Sequence, residues 1–352
     1  MLFHNIYVAL SNRVFEGLAS DNLLHFILNT VYAQSTDQNK ISSLINYSLA
    51  LYLIGISISP FVAGLFGSFT ISFFMALGFF VIAAGYLQIC VCYRGRLKNI
   101  KPTVDQRLGH PSTSNARARS TVDIKALFKK SSKTVISPLL FYKEHPLHLP
   151  IGLSLLSYNA VQSYIFNALL IHTSVHFGFT GKENGFIITI AHSVAALYIF
   201  FTIYIIPKLA NKVWGRKPRE GAWFNPTMRD GILALISLTL QLCSLLAIGL
   251  ATRPWQIYTI TALLALSLPT ASFVKSYSVG NFIASDKVKI LAALTMMEAL
   301  GSVLSPIFLG GWQSYTSSSS GVFFGAAGIA GFSTTAFGLG FLVTLGNRSR
   351  DL

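Results

Sequence analysis

Nine long apolar stretches constrain the architecture of this 352-residue chain more than any other feature. A helix needs roughly 20 apolar residues to cross a bilayer, and each stretch has about that length. We interpret all nine as helices, because the alternating ten-residue segments of transmembrane β-barrels are absent. The predicted fold class is therefore all-α, a multi-pass transmembrane helix bundle with nine spans. These spans are Ile6–Tyr32, Ile45–Phe66, Ile71–Tyr93, Leu149–Ser174, Phe186–Ile206, Ile232–Ala251, Ile257–Val274, Ile290–Leu309 and Val322–Leu345.

The composition is that of a membrane protein. Hydrophobic residues make up 52% of the chain and charged residues 11%, whereas soluble domains carry about 25% charged residues. The net charge of +15 comes from short loops between the apolar stretches, so we do not interpret it as a nucleic-acid-binding surface. Cys90, Cys92 and Cys243 lie in or at the end of apolar stretches and imply no disulfide framework.

A basic connector, Arg94–Leu147, sets the predicted orientation. It holds twelve Lys or Arg residues against three acidic ones, and positive loops resist translocation, so it belongs in the cytoplasm. Alternation then leaves the N-terminus outside and the C-terminus in the cytoplasm. It also places every Lys and Arg except Arg13, Lys182 and Arg253 in cytoplasmic segments. Besides the connector, these segments are Gln34–Leu44, Lys208–Gly231, Lys275–Lys289 and the tail after Gly346.

Two Asn-X-Ser sequons test this orientation. Asn46 lies at the cytoplasmic face of a predicted span and Asn347 in the cytoplasmic tail, so we expect neither to be glycosylated. An acceptor inserted within Tyr315–Ser320, on the opposite side, should carry a glycan. The measurement is the change in apparent mass after endoglycosidase treatment of the chain expressed in eukaryotic cells. A glycan on Asn347 would contradict the orientation.

The spans divide unequally around the basic connector, with three before it and six after it. We predict a partial N-terminal bundle over 1–93, the cytoplasmic loop over 94–147, a six-helix bundle over 148–345 and a tail over 346–352. The second bundle looks like one half of a six-plus-six transporter. The first looks like the other half without its first three helices.

Charged residues cluster in the first span. Arg13, Glu16 and Asp21 fall, with Gly17 and Ser20, within roughly 140° of helical arc. An arginine at membrane depth costs at least ~2.5 kcal/mol, so it should face a cavity or a carboxylate. Snorkelling of Arg13 towards the interface is the alternative.

Small residues are spaced four apart in the second span. This set consists of Gly55, Ser59, Pro60, Ala63 and Gly64. Small side chains let another backbone approach closely, and a proline removes one helix hydrogen bond and permits a bend. The pattern predicts a seam along which another helix slides, although ordinary helix packing produces the same spacing.

Polar residues in the later spans are the other candidates. Glu298 is the only charged side chain that we assign to the remaining eight spans, and an ionisable group near mid-bilayer indicates function or a buried hydrogen bond. Asn159, Gln162 and Asn167 in the fourth span could line a cavity or join helices. His172 and His176 have no third ligand nearby, which argues against a metal site.

With these residues in view, the chain resembles the major facilitator superfamily, particularly its fungal drug:proton-antiporter-like members. Arg13–Gly17 resembles the R-x-x-Q-G motif of the family's fourth helix, with Glu16 in place of glutamine. Gly55–Gly64 resembles the G-x-x-x-G-P-x-x-G-G motif of the fifth helix, with Ser59 and Ala63 in place of two glycines. The segment from Glu298 to Ser302 resembles an E-x-L-G-S pattern of the eleventh helix.

The resemblance implies proton-coupled efflux of a small organic molecule by alternating access, in the plasma or vacuolar membrane. Arg13, Glu16, Asp21 and Glu298 would carry proton coupling and translocation. The expected partners are the bilayer and a small-molecule substrate, with no nucleic acid, no cofactor, no metal and no catalytic activity; the oligomeric state stays open. The alternatives are a proton-coupled nutrient symporter, or a truncated protein that does not transport.

Overall fold

The computed structural model describes residues 28–29, 38–65, 69–98, 137–206, 208, 226–282, 286–316 and 320–348. All secondary structure in these ranges is helical, which confirms the predicted all-α class. Residues 99–136 of the basic connector lie outside the described residues. So does most of the first predicted span, including Arg13, Glu16 and Asp21.

Helices occur at every predicted span from Ile45 onwards. Short helical turns precede the helix that begins at Leu149: Ser137–Leu140, Phe141–Glu144 and Pro146–His148. Two π-helical turns, Phe201–Ile205 and Pro306–Gly310, extend the helices that end at Phe200 and Ser305. The longer helices are α1 (Gln38–Leu65), α2 (Phe69–Lys98), α3 (Leu149–His176), α4 (Gly181–Phe200), α5 (Pro226–Gly249), α6 (Pro254–Ala265), α7 (Thr270–Gly280), α8 (Lys287–Ser305) and α9 (Gly321–Arg348).

Five helical segments of the described chain are long and apolar enough to cross a membrane, as a multi-pass integral membrane protein requires. They are Gly181–Ile205, Thr227–Gly249, Pro254–Gly280, Lys287–Tyr315 and Gly321–Gly346. At 28 residues α3 also has the length, but it is not among the five. Its apolar sequence is interrupted near the middle by Tyr158, Asn159 and Gln162.

The chain divides into two compact units. The larger contains Met1–Pro60 and Thr134–Leu352, and the smaller contains Phe61–Lys133. The described part of the smaller unit consists of the end of α1 and the whole of α2.

Helix α3 is the centre of the larger unit, packed between α8 on one side and α9 on the other. Helix α5 packs against α9, α7 and α6, and α6 packs against α4. Serines join α3 to both neighbours: the Ser333 hydroxyl donates to the carbonyl oxygen of Ser154 at 2.8 Å, and the Ser305 hydroxyl donates to that of Ala160. Small polar groups of this kind bring helix backbones close together in membrane proteins.

Three predicted cytoplasmic loops overlap helices. The first, Gln34–Leu44, ends inside α1, which begins at Gln38, and the other two carry paired charges. The segment predicted as Lys275–Lys289 begins inside α7, which continues to Gly280, and the segment predicted as Lys208–Gly231 ends inside α5, which begins at Pro226. In the sequence, a charged residue marks the predicted end of each of these spans. The structure instead pairs those charges within the bundle, so the helices continue through them.

Candidate functional site

A buried ion pair joins α7 to α8. The Lys275 ammonium nitrogen lies 2.5 Å from the Oε2 carboxylate oxygen of Glu298, and the two side chains are only 5% and 3% exposed. Removing two charges from water costs several kcal/mol per ion, and their attraction repays this only in a tight geometry. A second pair, Arg229 with Asp230, lies near the start of α5. The Ser276 hydroxyl, one residue beyond Lys275, donates to the carboxylate of Asp230.

The Lys275–Glu298 pair lines a cavity of about 330 Å³ inside the larger unit. Side chains from α1, α3, α4, α7 and α8 surround this space. Its volume lies at the lower end of the ~300–1,000 Å³ range of ligand pockets. An ion pair that lines a cavity can exchange partners with a ligand or a proton, whereas one sealed in a core cannot. This arrangement is the candidate functional site.

A helix break next to the cavity positions Lys275. Helix α6 ends at Ala265 and α7 begins at Thr270. Pro269 lies between them and has no N–H to continue the helical hydrogen bonds. The Tyr158 hydroxyl, fully buried on α3, lies 3.0 Å from the carbonyl oxygens of both Ser267 and Leu268 and shares its one hydrogen between them. The tyrosine therefore ties the backbone of the break to α3 and fixes the start of α7, together with the Thr270 hydroxyl, which also donates to the Ser267 carbonyl.

The other side of the cavity is fixed through Asn159. Its Nδ2 donates to the backbone carbonyl of Glu298 and to the Ser302 hydroxyl, both at 2.7 Å. This amide holds α8 at the turn that carries the carboxylate. On α7, the Ser272 hydroxyl donates to Oδ1 of Asn46 on α1 at 2.6 Å. Every helix that supplies a charge to the cavity is thus tied to a second helix by a polar side chain.

Further polar groups line the same space. His192 on α4 has its Nδ1 at 2.8 Å from the carbonyl oxygen of Ile188 and its ring centroid 5.7 Å from that of Phe166. If Nδ1–H donates to that carbonyl, Nε2 stays available as an acceptor. Among the described residues, Oε1 of Gln162 and Oδ1 of Asn29 are buried without a hydrogen-bond partner. Buried acceptors are normally satisfied in native interiors, and because these two line the cavity, a ligand or a water molecule there can donate to them.

The structure gathers three of the predicted polar residues and leaves one apart. Glu298, Asn159 and Gln162 all line the cavity. Asn167 is exposed and is not among the lining residues. The reason is helix geometry: five residues at about 100° each turn its side chain some 140° away from that of Gln162.

The proposed helix seam lies along α1 and stays a prediction. Gly55 and Ser59 are exposed, and no described atom lies within 4 Å of the position of a Cβ at Gly55. Pro60, Ala63 and Gly64 belong to the same helix, with side chains outside the described residues. Arg13, Glu16 and Asp21, the other predicted coupling residues, also lie outside them.

Sequence reasoning misses Lys275, Tyr158 and the helix break. Lys275 directly follows the apolar run that ends at Val274, so the pattern predicts a loop there. The signal that could have found the break is Pro269 in the middle of a 27-residue apolar segment, where a proline either kinks or ends a helix. The partnership of Lys275 with Glu298 depends on tertiary packing and has no local sequence signal.

Within the described residues, no group of three or more His, Cys, Asp or Glu side chains is arranged to hold a metal ion. The His172 and His176 rings stack with their centroids 5.3 Å apart. Each also lies edge-on to Phe177. They form part of an aromatic cluster at the end of α3.

Comparison with protein-family models and with curated proteins finds no match to this chain.

Proposed function

We propose that this protein moves a small organic molecule across a membrane by alternating access, driven by a proton gradient. The observation that carries the proposal is the Lys275–Glu298 ion pair on the wall of a cavity among apolar helices. Charged side chains inside membrane-spanning segments are costly and typically mark substrate or ion pathways.

The helix break supports the same proposal. Substrate sites of secondary transporters are typically formed by discontinuous helices, where unwound backbone lines the cavity. The α6–α7 pair is interrupted at Pro269 beside the cavity. Tighter turns replace the α-helical hydrogen bonds between Ala265 and Thr270, and Pro269 has no N–H, so this segment is a point at which α7 can bend relative to α6.

The chemistry of the pair supports proton coupling. Protonation of Glu298 would remove the partner of Lys275 and free its ammonium group, which gives two arrangements of the same cavity. Arg13, Glu16 and Asp21 are proposed to take part with Glu298. Export is favoured over uptake because the Gly55–Gly64 pattern resembles the antiporter motif. We place the protein in the plasma or vacuolar membrane, with the N-terminus outside and the C-terminus in the cytoplasm.

Gradient-driven flux tests the proposal. The purified 352-residue chain is reconstituted in proteoliposomes, and the movement of a panel of small organic solutes is measured under an imposed pH gradient. We expect flux of at least one solute that collapses with a protonophore and is lost in Glu298→Gln. Lys289→Met, on an exposed side chain of the same helix, is the matched control and should transport normally. Absence of gradient-dependent flux, or full flux in Glu298→Gln, would contradict the proposal.

A further inference from the structure

We propose that the cavity binds a small zwitterion with an apolar body, its carboxylate on Lys275 and its ammonium on Glu298. This inference rests on the proposed function and adds the chemical class of the substrate. Three properties of the cavity carry it: the balance of its charges, the apolar wall that α1 contributes, and its unpaired acceptors.

In the part of the chain that the structure describes, the charged side chains that line the cavity balance to zero. Lys275 contributes one positive charge and Glu298 one negative charge, and they neutralise each other across 2.5 Å. A ligand with a single charge would leave one net charge in a site of low dielectric, where charge is strongly penalised. A ligand that carries both charges can insert between the two side chains, pair with each, and keep the site neutral.

One wall of the cavity is hydrocarbon. Ile45, Leu49, Leu53 and Ile56 on α1 all line it, and their spacing places them on one face of the helix. Tyr52, from the same helix, adds an aromatic ring to the lining. Only an apolar group is compatible with this wall, because a polar group placed there would lose its hydrogen bonds to water.

The charged and apolar walls belong to different helices. Lys275 lies on α7 and Glu298 on α8, whereas the apolar face belongs to α1. The bound molecule therefore carries both of its charges at one end and its hydrocarbon at the other. A cavity of about 330 Å³ restricts it to a compact molecule. An amino acid with an apolar side chain has this shape.

Unpaired acceptors provide sites for the ligand's ammonium hydrogens. Gln162 Oε1 and Asn29 Oδ1 are buried without a hydrogen-bond partner in the described structure, and both residues line the cavity. An ammonium group has three N–H donors and forms only one direct ion pair with a carboxylate. The remaining donors need neutral oxygens such as these, because an unsatisfied buried donor is costly.

Equilibrium binding to the purified 352-residue chain in detergent tests this assignment without any gradient. The probes are L-leucine and L-phenylalanine, each compared with the matching amine (isopentylamine, phenethylamine) and the matching acid (4-methylpentanoate, 3-phenylpropanoate). We expect at least one amino acid to bind about tenfold or more tightly than both of its single-charge analogues, since either analogue leaves one buried charge unpaired. Equal or tighter binding of an analogue, or no binding of either amino acid, would overturn the proposal.

Variants connect the preference to the ion pair. Lys275→Met combined with Glu298→Gln removes both charges together and should abolish the preference for the amino acid over its analogues. Lys289→Met should keep the preference, and a double variant that keeps it would also overturn the proposal.

Zwitterion binding without gradient-driven flux would uphold this assignment and reject the proposed function. Flux of some other solute without zwitterion binding would do the reverse.

Discussion

Lys275→Met and Glu298→Gln are each expected to destabilise the protein more than the two changes made together. Each single change leaves one buried charge without its partner, and breaking a buried ion pair from one side costs about 3–5 kcal/mol. The combined variant leaves no charge behind. Because uncharged side chains of similar volume replace such pairs at little cost, its stability should lie close to that of the unmodified chain.

The measurement is the temperature at which each purified variant loses its monodisperse peak in detergent. Lys289→Met is the matched control, because Lys289 forms an exposed pair with Asp286 at 2.9 Å. Exposed pairs of this kind contribute about 0–1 kcal/mol. If the effects of the two single changes simply add in the combined variant, Lys275 and Glu298 do not interact as described.

Gly301→Ala is expected to separate α3 from α8. A Cβ at this position would overlap the backbone carbonyl oxygen of Leu156 and lie 3.1 Å from the backbone nitrogen of Ala160. Backbone atoms of a packed helix cannot move aside as a flexible side chain can, so α8 has to shift. Overpacking of this kind typically costs ~1–3 kcal/mol.

The same shift should disturb the candidate site, because Gly301 lies one turn from Glu298. The Asn159 bond to the Glu298 carbonyl spans the gap that would widen. Gly328→Ala is the matched control, since no described atom lies within 4 Å of a Cβ there. We expect lower thermal stability and weaker ligand binding for Gly301→Ala, and no loss for Gly328→Ala. Equal behaviour of the two variants would show that α3 and α8 are not in close backbone contact at Gly301.

The helical class and the positions of the helices could be predicted because they depend on local apolar patterning. Helices occur at every predicted span from Ile45 onwards, and Glu298 is recognisable as a charge within an apolar run. Boundaries were less predictable. A lysine normally marks the end of a span, yet Lys275 is buried within α7 because Glu298 on α8 presents a carboxylate to it.

The composition of the site depended on packing that the sequence does not display. The spacing in the sequence places Asn167 some 140° from Gln162 on the same helix, but it does not say which side faces the cavity. The packing of α3 between α8 and α9 decides that Asn159 and Gln162 do. The apolar face of α1 gives no signal either, because any amphipathic or buried helix carries such a face. What a side chain faces is decided by helix rotation, and rotation is a property of the assembled bundle.

The central claim is that the buried pair serves function rather than stability. Solute flux by the combined Lys275→Met and Glu298→Gln variant tests this claim most directly. The variant is compared with the unmodified chain in proteoliposomes under the same pH gradient, after both are shown to be equally monodisperse. We predict gradient-driven flux by the unmodified chain and none by the folded, uncharged variant. Flux at the same rate in both would contradict the claim and leave the ion pair a structural feature of the bundle.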